Sequence, residues 1–267
     1  MTNKGKYYES QFEEATIELL REAHWQYTFG DDIHRKYTDP LIEEDLRNFL
    51  AAQYKDRDLT TSEIDGIVAN LRNTGGQNDY YALRNAFLLY RDGYDFAYSD
   101  GRDNPFRLEY IDFEHPDHNI FRCVNQFVME QGRENRRPDI LLFINVIPVC
   151  IIELKNPTKQ NATIRDAHTQ ICTRYMRDIP ALLKYCALAV ISDGAKNALG
   201  TTYTPFEFFY EWKKIENEDK AGKGLDTLRT LIRGALSPER ILEILRDYVY
   251  FPDPTKEDDT TEIVCRY

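Results

Sequence analysis

A buried segment with charged residues at both ends constrains this chain most. Residues 138–155 read PDILLFINVIPVCIIELK, so the acids Asp139 and Glu153 and the amine Lys155 bracket a run of apolar side chains. Short apolar runs of this kind predict two strands buried on both faces and joined as a hairpin. Burying a carboxylate or an ammonium is costly unless the group is paired or bound to a metal. The segment therefore predicts a metal-dependent hydrolytic site, and a phosphodiester is the first substrate to consider.

The hairpin needs a particular register if these three side chains are to meet. Side chains alternate across a strand, so Glu153 and Lys155 project from the same face. A three-residue loop, made of residues 145–147, places Asp139 directly opposite Glu153. A two-residue loop places Ile152 there instead, unless a bulge or a bend at Pro138-Asp139 redirects the acid. The sequence leaves both arrangements open.

The residue types at the two ends suit a magnesium site. Mg²⁺ prefers oxygen ligands and usually takes one or two carboxylates together with waters and phosphate, and Asp139 and Glu153 would supply the carboxylates. The ion would polarise the phosphoryl group and make a bound water more acidic. Lys155 would orient or deprotonate that water, or offset charge on the transition state. The alternative interpretation is that Glu153 and Lys155 form an ordinary salt-bridged strand end.

The composition limits the class of protein. The net charge of −11 counts against a simple nucleic-acid coat, but residues 131–184 hold nine Lys/Arg and five acids, a local positive excess. No run approaches the roughly 18 apolar residues that a membrane span needs, and the first residues lack the apolar stretch of a signal peptide. The five cysteines are widely spaced without a CxxC pair, which favours a reduced, cytoplasmic location.

The first hundred residues have apolar side chains at helical spacing. Asp39-Pro40 matches an N-cap followed by proline at the first helical position, which predicts a helix that starts there. Thr60 and Glu63 match a capping box ahead of the next apolar run. These signals predict a helical N-terminal elaboration.

The hydrophobic period changes near residue 106. Alternating residues and short apolar runs then predict strands, with a helix over residues 163–176, and residues 225–249 are again mostly helical. Strands that alternate with helices predict an α/β fold with a mixed central sheet flanked by helices.

The PD…ELK pattern is the signature of the PD-(D/E)XK nucleases, and the wider sequence resembles the N-terminal endonuclease region of the R subunit of type I restriction enzymes. Besides the hairpin, three stretches carry the resemblance: SQFEEATIELL, AHTQICTRYMRDIPALL and AVISDGAKNALGTTYTPFEFFYEW. It implies a restriction-endonuclease-like core within an endonuclease domain. We predict the following division: endonuclease domain 1–250, with the helical elaboration at about 30–100, the nuclease core at about 106–215 and C-terminal helices at about 225–250, then a linker at 251–267 toward a motor domain absent from this chain.

The resemblance also implies roles for individual residues. Asp139 and Glu153 match the metal-binding acids, and Lys155 matches the catalytic lysine. Glu13, on the first helix, matches an acid that often reaches the metal site, and Glu14 is the neighbouring candidate.

A Gln…Tyr motif accompanies the nuclease core in this family, and Gln170 and Tyr175 match it as further catalytic residues. The usual separation in the family is four residues, whereas here it is five. On an α-helix, residues five apart share a face less well than residues four apart. The resemblance therefore supports a role for Gln170 more directly than one for Tyr175.

The implied function is Mg²⁺-dependent hydrolysis of DNA phosphodiesters after ATP-driven translocation. No GxxxxGK[ST] phosphate loop occurs, so we expect the motor domains and their ATP to belong to sequence beyond residue 267. The implied partners are double-stranded DNA and the modification and specificity subunits of a type I restriction complex, with no membrane. Two alternatives stay open: a non-catalytic docking or DNA-binding module of the same complex, and a PD-(D/E)XK nuclease of DNA repair.

Two further motifs lie close to the predicted strands. His115 and His118 have the spacing of a metal-binding pair, but without a third ligand or a helical setting, and with a proline between them, we interpret them as part of a surface loop. Arg133, Arg136 and Arg137 directly precede the hairpin and are candidates for holding phosphates beside the cut site.

Overall fold

The computed structural model describes residues 3–155, 163–215, 222, 224–252 and 262–265. In these residues a mixed six-stranded sheet packs against helices, which confirms the predicted α/β class. The strands are β1 (Gln26–Phe29), β2 (Tyr94–Phe96), β3 (Phe106–Leu108), β4 (Phe121–Asn125), β5 (Met129–Gln131), β6 (Glu134–Arg136), β7 (Ile140–Ile144), β8 (Ile147–Leu154), β9 (Leu188–Ser192), β10 (Asn197–Gly200), β11 (Val249–Tyr250) and β12 (Ile263–Val264). Outside the main sheet, β2 pairs with β3, β5 with β6 and β11 with β12 as two-stranded ribbons.

The main sheet has the strand order β1-β4-β7-β8-β9-β10. β1 pairs with β4 and β8 with β9 in parallel, and the other neighbours are antiparallel. Every residue of β7, β8 and β9 is buried. Burial on both faces explains why these strands read as continuous apolar runs rather than as an alternating pattern.

Helices surround this sheet, and two of them continue into π-helical turns. Their bounds are α1 (Asn3–Glu22), α2 (Glu43–Gln53), α3 (Thr61–Asn73), α4 (Asp79–Asp92), α5 (Ile164–Thr169) with the π turn Gln170–Tyr175, α6 (Met176–Asp178), α7 (Pro180–Leu183), α8 (Leu225–Ala235), and α9 (Pro238–Glu243) with the π turn Ile244–Tyr248. None of the helices in the described part of the chain combines the length and apolar character that crossing a bilayer requires.

Helix α1 packs against β1, β8 and α8, and so reaches the centre of the sheet from the N-terminus. Leu20 faces the core, and Trp25, just after the helix, donates a hydrogen bond from Nε1 to the carbonyl of Leu236 at 2.7 Å. That bond ties the start of β1 to the end of α8. β1 has mainly exposed side chains and no apolar run, which is why the sequence pattern did not predict it.

The predicted helix start at Asp39-Pro40 is wrong, because α2 begins at Glu43. The Asp39 carboxylate instead accepts from the Leu41 amide at 3.1 Å and pairs with Arg72 of α3 at 2.9 Å. These bonds hold the chain in a turn before the helix.

The predicted capping box is confirmed. Thr60 Oγ1 accepts from the Glu63 amide at 3.3 Å, and the Glu63 carboxylate accepts from the Thr60 amide at 2.9 Å, at the start of α3. A local signal of this kind is complete within four residues, so it can be recognised without knowing the fold.

The elements after residue 225 have the predicted helical character, and α8 and α9 are separated at Ser237-Pro238. β11 follows them and pairs with β12. Of the predicted linker 251–267, residues 253–261, 266 and 267 lie outside the described residues. The predicted domain boundaries stay a prediction.

Candidate active site

The loop of the β7–β8 hairpin has two residues, Asn145 and Val146, so the three-residue loop is wrong. Asn145 has a φ of 58°, the left-handed conformation that asparagine tolerates in tight hairpin turns. Its side chain accepts from the Ile120 amide at 2.9 Å and donates to the carbonyl of Tyr110 at 2.7 Å. These bonds fix the tight turn against the neighbouring segments.

A bulge within β8 restores the register that the short loop would have lost. The pairing shifts between Leu142 and Phe143, which leaves Val149 as the extra residue. Beyond the bulge Ile140 pairs with Ile152, so Asp139 and Glu153 each lie one residue further on, at the same end of the hairpin. The paired residues on either side of the shift are Leu142 with Cys150 and Phe143 with Pro148.

The three residues of the PD…ELK pattern come together at that end. Asp139 Oδ2 accepts from the Leu154 amide at 2.7 Å, which holds it across the strand from Glu153. Lys155 Nζ donates to Glu153 Oε1 at 2.7 Å. The Glu153 side chain is 1% exposed and that of Lys155 is 14% exposed, so this ion pair is buried. The structure therefore brings together two acids and one amine.

Among the residues that the structure describes, two acids lie beside one ammonium, that of Lys155. Burial raises the pKa of Asp139 well above its usual value, and repulsion from Glu153 adds to the increase, although the Leu154 amide and Lys155 oppose it. Burial also raises the pKa of Glu153, against the opposing effect of Lys155. Both acids hold a proton more tightly than ordinary carboxyls, so the site favours added positive charge.

Glu13 and Glu14, both on α1, have different surroundings, and Glu13 is the one connected to the acid pair through neighbouring amides. The Glu13 carboxylate accepts from Asn125 Nδ2 at 2.7 Å and from Gln126 Nε2 at 2.9 and 3.0 Å. Repulsion from Glu13 contributes to the raised pKa of Asp139. Glu14 is exposed and accepts a hydrogen bond from Ser10 instead. Of the two candidates, the geometry places Glu13 beside the site.

Asn125 and Gln126 are site residues that the sequence pattern missed. Gln126 has a φ of 55°, uncommon for a residue other than glycine. Its backbone amide donates to the Asp139 carbonyl at 3.2 Å. A Cβ on Gly30 would lie 2.7 Å from the Gln126 carbonyl oxygen, so only glycine allows this close approach. Both amides lie within the alternating segment 121–128, and nothing local in the sequence connects them to Glu13.

A π-helical turn explains the five-residue spacing of Gln170 and Tyr175. The turn runs over Gln170–Tyr175, and in a π-helix the backbone bonds join residues five apart, so these two side chains share a face. Gln170 Nε2 donates to the Tyr175 hydroxyl at 2.7 Å, and Gln170 Oε1 accepts from Lys155 Nζ at 2.7 Å. The Tyr175 hydroxyl donates to Glu153 Oε2 at 3.3 Å. The expectation that a five-residue spacing keeps these two side chains on different faces is wrong, because it assumed an α-helix. Their roles in catalysis stay a prediction.

A family model described as the type I restriction enzyme R protein N terminus matches residues 6–208. The chain belongs to this family. The type I restriction enzyme HindI endonuclease subunit of Haemophilus influenzae is 28% identical over 255 residues, which make up 91% of this chain and 24% of that protein. The type I restriction enzyme EcoprrI endonuclease subunit of Escherichia coli is 31% identical over 133 residues, which make up 46% of this chain and 40% of that protein.

A third relative, from Methanocaldococcus jannaschii, is named as the type I restriction enzyme MjaIXP endonuclease subunit. It is 27% identical over 261 residues, which make up 89% of this chain and 25% of that protein. The chain thus spans about a quarter of the length of the HindI and MjaIXP subunits. The resemblance to type I restriction R subunits is confirmed by the family match.

In this R-subunit region the three arginines before the hairpin differ in their surroundings. Arg136 pairs with the buried Asp178 at 2.7 Å and also with Glu134. These two carboxylates neutralise its charge. Arg137 is exposed and lies 3.5 Å from Gln126 Oε1, and Arg133 is exposed at the tip of the β5–β6 ribbon. Arg137 and Arg133 are better placed than Arg136 to contact a phosphate.

Replacing Tyr175 with phenylalanine removes one hydroxyl from this R-subunit site. The hydroxyl both accepts from Gln170 and donates to Glu153, so its loss leaves the Gln170 amide and a buried carboxylate oxygen each without that bond. We expect DNA cleavage by the assembled complex to fall roughly tenfold, the cost of about one such bond. Cleavage assays on matched complexes measure it, with the exposed Tyr37→Phe as the control. An unchanged rate would contradict a positioning role for Tyr175.

Proposed function

We propose that this chain is the Mg²⁺-dependent DNA endonuclease domain of a type I restriction enzyme R subunit, built on a PD-(D/E)XK core. It would hydrolyse DNA phosphodiesters after ATP-driven translocation by motor domains outside this chain. The observation that carries the proposal is the convergence of Asp139, the buried Glu153 and Lys155 at one end of the hairpin.

The donor set fits a hard divalent cation. The groups that converge are carboxylates, the ligand class that Mg²⁺ prefers. A cation bound there would offset the burial and the repulsion from Glu153 that raise the pKa of Asp139. Asp139 and Glu153 would hold the ion, and Glu13 would border the same site. When bound, Mg²⁺ would polarise the phosphoryl group and lower the pKa of a bound water.

Lys155 is held as a hydrogen-bond donor between two acceptors. Nζ donates to Glu153 Oε1 and to Gln170 Oε1, both at 2.7 Å, and an ammonium has three protons to donate. The remaining proton would go to a phosphate oxygen or to the attacking water. This arrangement favours an orienting and charge-offsetting role for Lys155 over proton abstraction.

Gln170 and Tyr175 would keep that ammonium in place. Gln170 connects Lys155 to the Tyr175 hydroxyl, and Tyr175 connects back to Glu153, which closes a ring of four side chains. Burial and repulsion from Glu153 raise the pKa of Tyr175, so its hydroxyl stays protonated and able to donate at neutral pH. The ring would hold the catalytic amine in one position before DNA arrives.

The partners we propose are double-stranded DNA and the modification and specificity subunits, in the cytoplasm. The net charge of −11 counts against a strong general affinity for DNA, although residues 131–184 carry a local positive excess. Delivery of DNA by the rest of the complex would make a strong local affinity for phosphate unnecessary. The alternative is a docking module of the same complex whose carboxylate pair does no chemistry.

Cleavage of plasmid DNA by the complete complex, with ATP and Mg²⁺, tests the proposal. We expect Glu153→Ala to lower cleavage roughly 10³-fold, because it removes a metal ligand and leaves Lys155 without its main partner. ATP turnover and assembly should persist. The exposed Glu18→Ala is a matched control. Cleavage at the wild-type rate by Glu153→Ala would favour the docking module.

A further inference from the structure

The loop between β3 and β4 brings two imidazoles to one buried carboxylate. His115 Nδ1 and His118 Nδ1 lie 3.3 and 2.9 Å from Asp112 Oδ2. The three atoms all lie within 4.8 Å of one another. The histidine pair lacked a third ligand as a sequence motif, and the fold supplies it three residues before His115. The predicted surface loop is confirmed, because both imidazoles are exposed between β3 and β4, and Asp112 is the neighbour that the histidine motif alone does not indicate.

The carboxylate at the centre of this cluster is held in a fixed orientation. Asp112 is 3% exposed. Its Oδ1 accepts from the backbone amides of Glu114 at 3.0 Å and His115 at 2.9 Å, and its Oδ2 accepts from Gln53 Nε2 at 3.0 Å. Bonds of this kind orient a ligand before a metal binds and are typical of the groups around metal sites.

Each ring nitrogen lies at a distance from the carboxylate oxygen that suits a tetrahedral ion. Metal–ligand bonds of 2.0–2.1 Å in a tetrahedral zinc site put the ligand atoms about 3.3 Å apart, close to the distances from Asp112 to the two rings. The rings stack with centroids 4.8 Å apart, and both Nδ1 atoms approach the same carboxylate oxygen. His115 and His118 are 59% and 47% exposed, so an ion and a water as fourth ligand have access from solvent.

We propose that Asp112, His115 and His118 form a second metal site, which takes a divalent transition-metal cation, Zn²⁺ first. Two imidazoles with one carboxylate suit Zn²⁺ and its neighbours, whereas Mg²⁺ and Ca²⁺ prefer all-oxygen sites. The ion would take the place of the two contacts between the rings and Asp112, with each neutral ring presenting an unprotonated Nδ1 and carrying its proton on the solvent-facing Nε2. It locks the loop in its observed form.

This site is separate from the candidate active site. Asn119, which closes the loop by bonding to Asp112, accepts from Asn145 Nδ2 at 3.0 Å in the turn of the β7–β8 hairpin. The acid pair is at the other end of that hairpin, on the order of 15 Å away along five strand residues. The ion therefore has a structural role: it anchors the loop that supports the hairpin turn.

Zn²⁺ titration of the purified chain by calorimetry tests the proposal. Excess Mg²⁺ is present to occupy the all-carboxylate pair, and Cys265→Ser removes an exposed thiol. We expect one Zn²⁺ per chain at this site, and an affinity at least about tenfold lower in His115→Ala and in His118→Ala, since each loses one of three ligands. His34→Ala, an exposed histidine elsewhere, is the matched control and should bind as the parent does.

Thermal unfolding provides a second readout. Zn²⁺ at about 100 times its dissociation constant should raise the Tm of the parent by roughly 5 °C and leave the double variant of His115 and His118 unchanged. If an alanine variant fails to fold, His118→Gln keeps a hydrogen-bonding group beside Asp112 without an imidazole. The proposal is overturned if the parent binds no Zn²⁺ below about 100 μM, weaker than a preformed three-ligand site allows, or if the folded double variant binds it with the parent's affinity.

Discussion

Replacing Lys155 with alanine is expected to lower DNA cleavage by the assembled restriction complex roughly 10³-fold, within the range for removing a charged group that acts on the transition state. Lys155 is the amine that pairs with Glu153, and it also bonds to Gln170. Its removal leaves a fully buried carboxylate without its cation and takes away the donor that we propose acts on the phosphate. ATP turnover and assembly should be retained, because the lysine lies within the proposed nuclease site and the proposed motor domains lie outside this chain.

The measurement is the rate of plasmid cleavage at saturating ATP and Mg²⁺, with ATP hydrolysis followed in the same reactions. The control is Lys55→Ala, which removes an exposed lysine from the turn that follows α2. The complex that carries it should cleave DNA at the wild-type rate. Lys155→Arg keeps the charge but not the compact ammonium, and should recover little activity. Wild-type cleavage by Lys155→Ala would remove the lysine from the mechanism.

Asp139→Asn is expected to abolish cleavage and, without metal, to make the protein more stable at alkaline pH. Burial and the charge of Glu153 raise the pKa of Asp139, so the folded state binds its proton more tightly than the unfolded state does. The stabilisation this gives is complete below the unfolded pKa of about 4 and is lost as pH rises through the folded pKa. Asparagine keeps an oxygen for the Leu154 amide but carries no charge to repel Glu153.

Thermal unfolding at pH 5 and pH 8, with and without Mg²⁺, separates these effects. The metal-free Tm of Asp139→Asn should exceed that of the wild type by a few degrees at pH 8, with a smaller difference at pH 5. Mg²⁺ should stabilise the wild type and not the variant, because the variant lacks a ligand. Asp56→Asn, at an exposed position, should behave as the wild type. A lower metal-free Tm for Asp139→Asn at pH 8 would show that the carboxyl stabilises the fold as an anion.

The positions of the acids and the lysine could be predicted from sequence because they bracket apolar strands. Their convergence could not, since it depends on a two-residue loop and on a bulge at Val149, and each would shift the register by one residue if it were alone. A continuous apolar strand contains no signal for a bulge, because side chains on both faces are buried. The pairing with neighbouring strands determines where the extra residue fits.

The π turn and the amides around Glu13 are two further features that the sequence alone could not predict. The spacing of Gln170 and Tyr175 was read on an α-helix, whereas the fold inserts one residue and aligns them. Glu13 is separated from Gln126 by 113 residues in sequence, so only the packing of α1 against the sheet brings them together. The two predicted helix starts differ for the same reason. The capping box at Thr60 depends on neighbouring residues alone and could be predicted, whereas Asp39 forms an ion pair with Arg72 of α3 instead of capping a helix.

Anomalous diffraction from crystals of this chain grown with Mn²⁺, a substitute that carboxylate sites also accept, would locate the ion itself. We expect an Mn²⁺ peak bound by the carboxylates of Asp139 and Glu153, with Lys155 Nζ beside them. A map in which those carboxylates bind no ion at saturating Mn²⁺, or in which the acids and the amine face apart, would contradict this expectation.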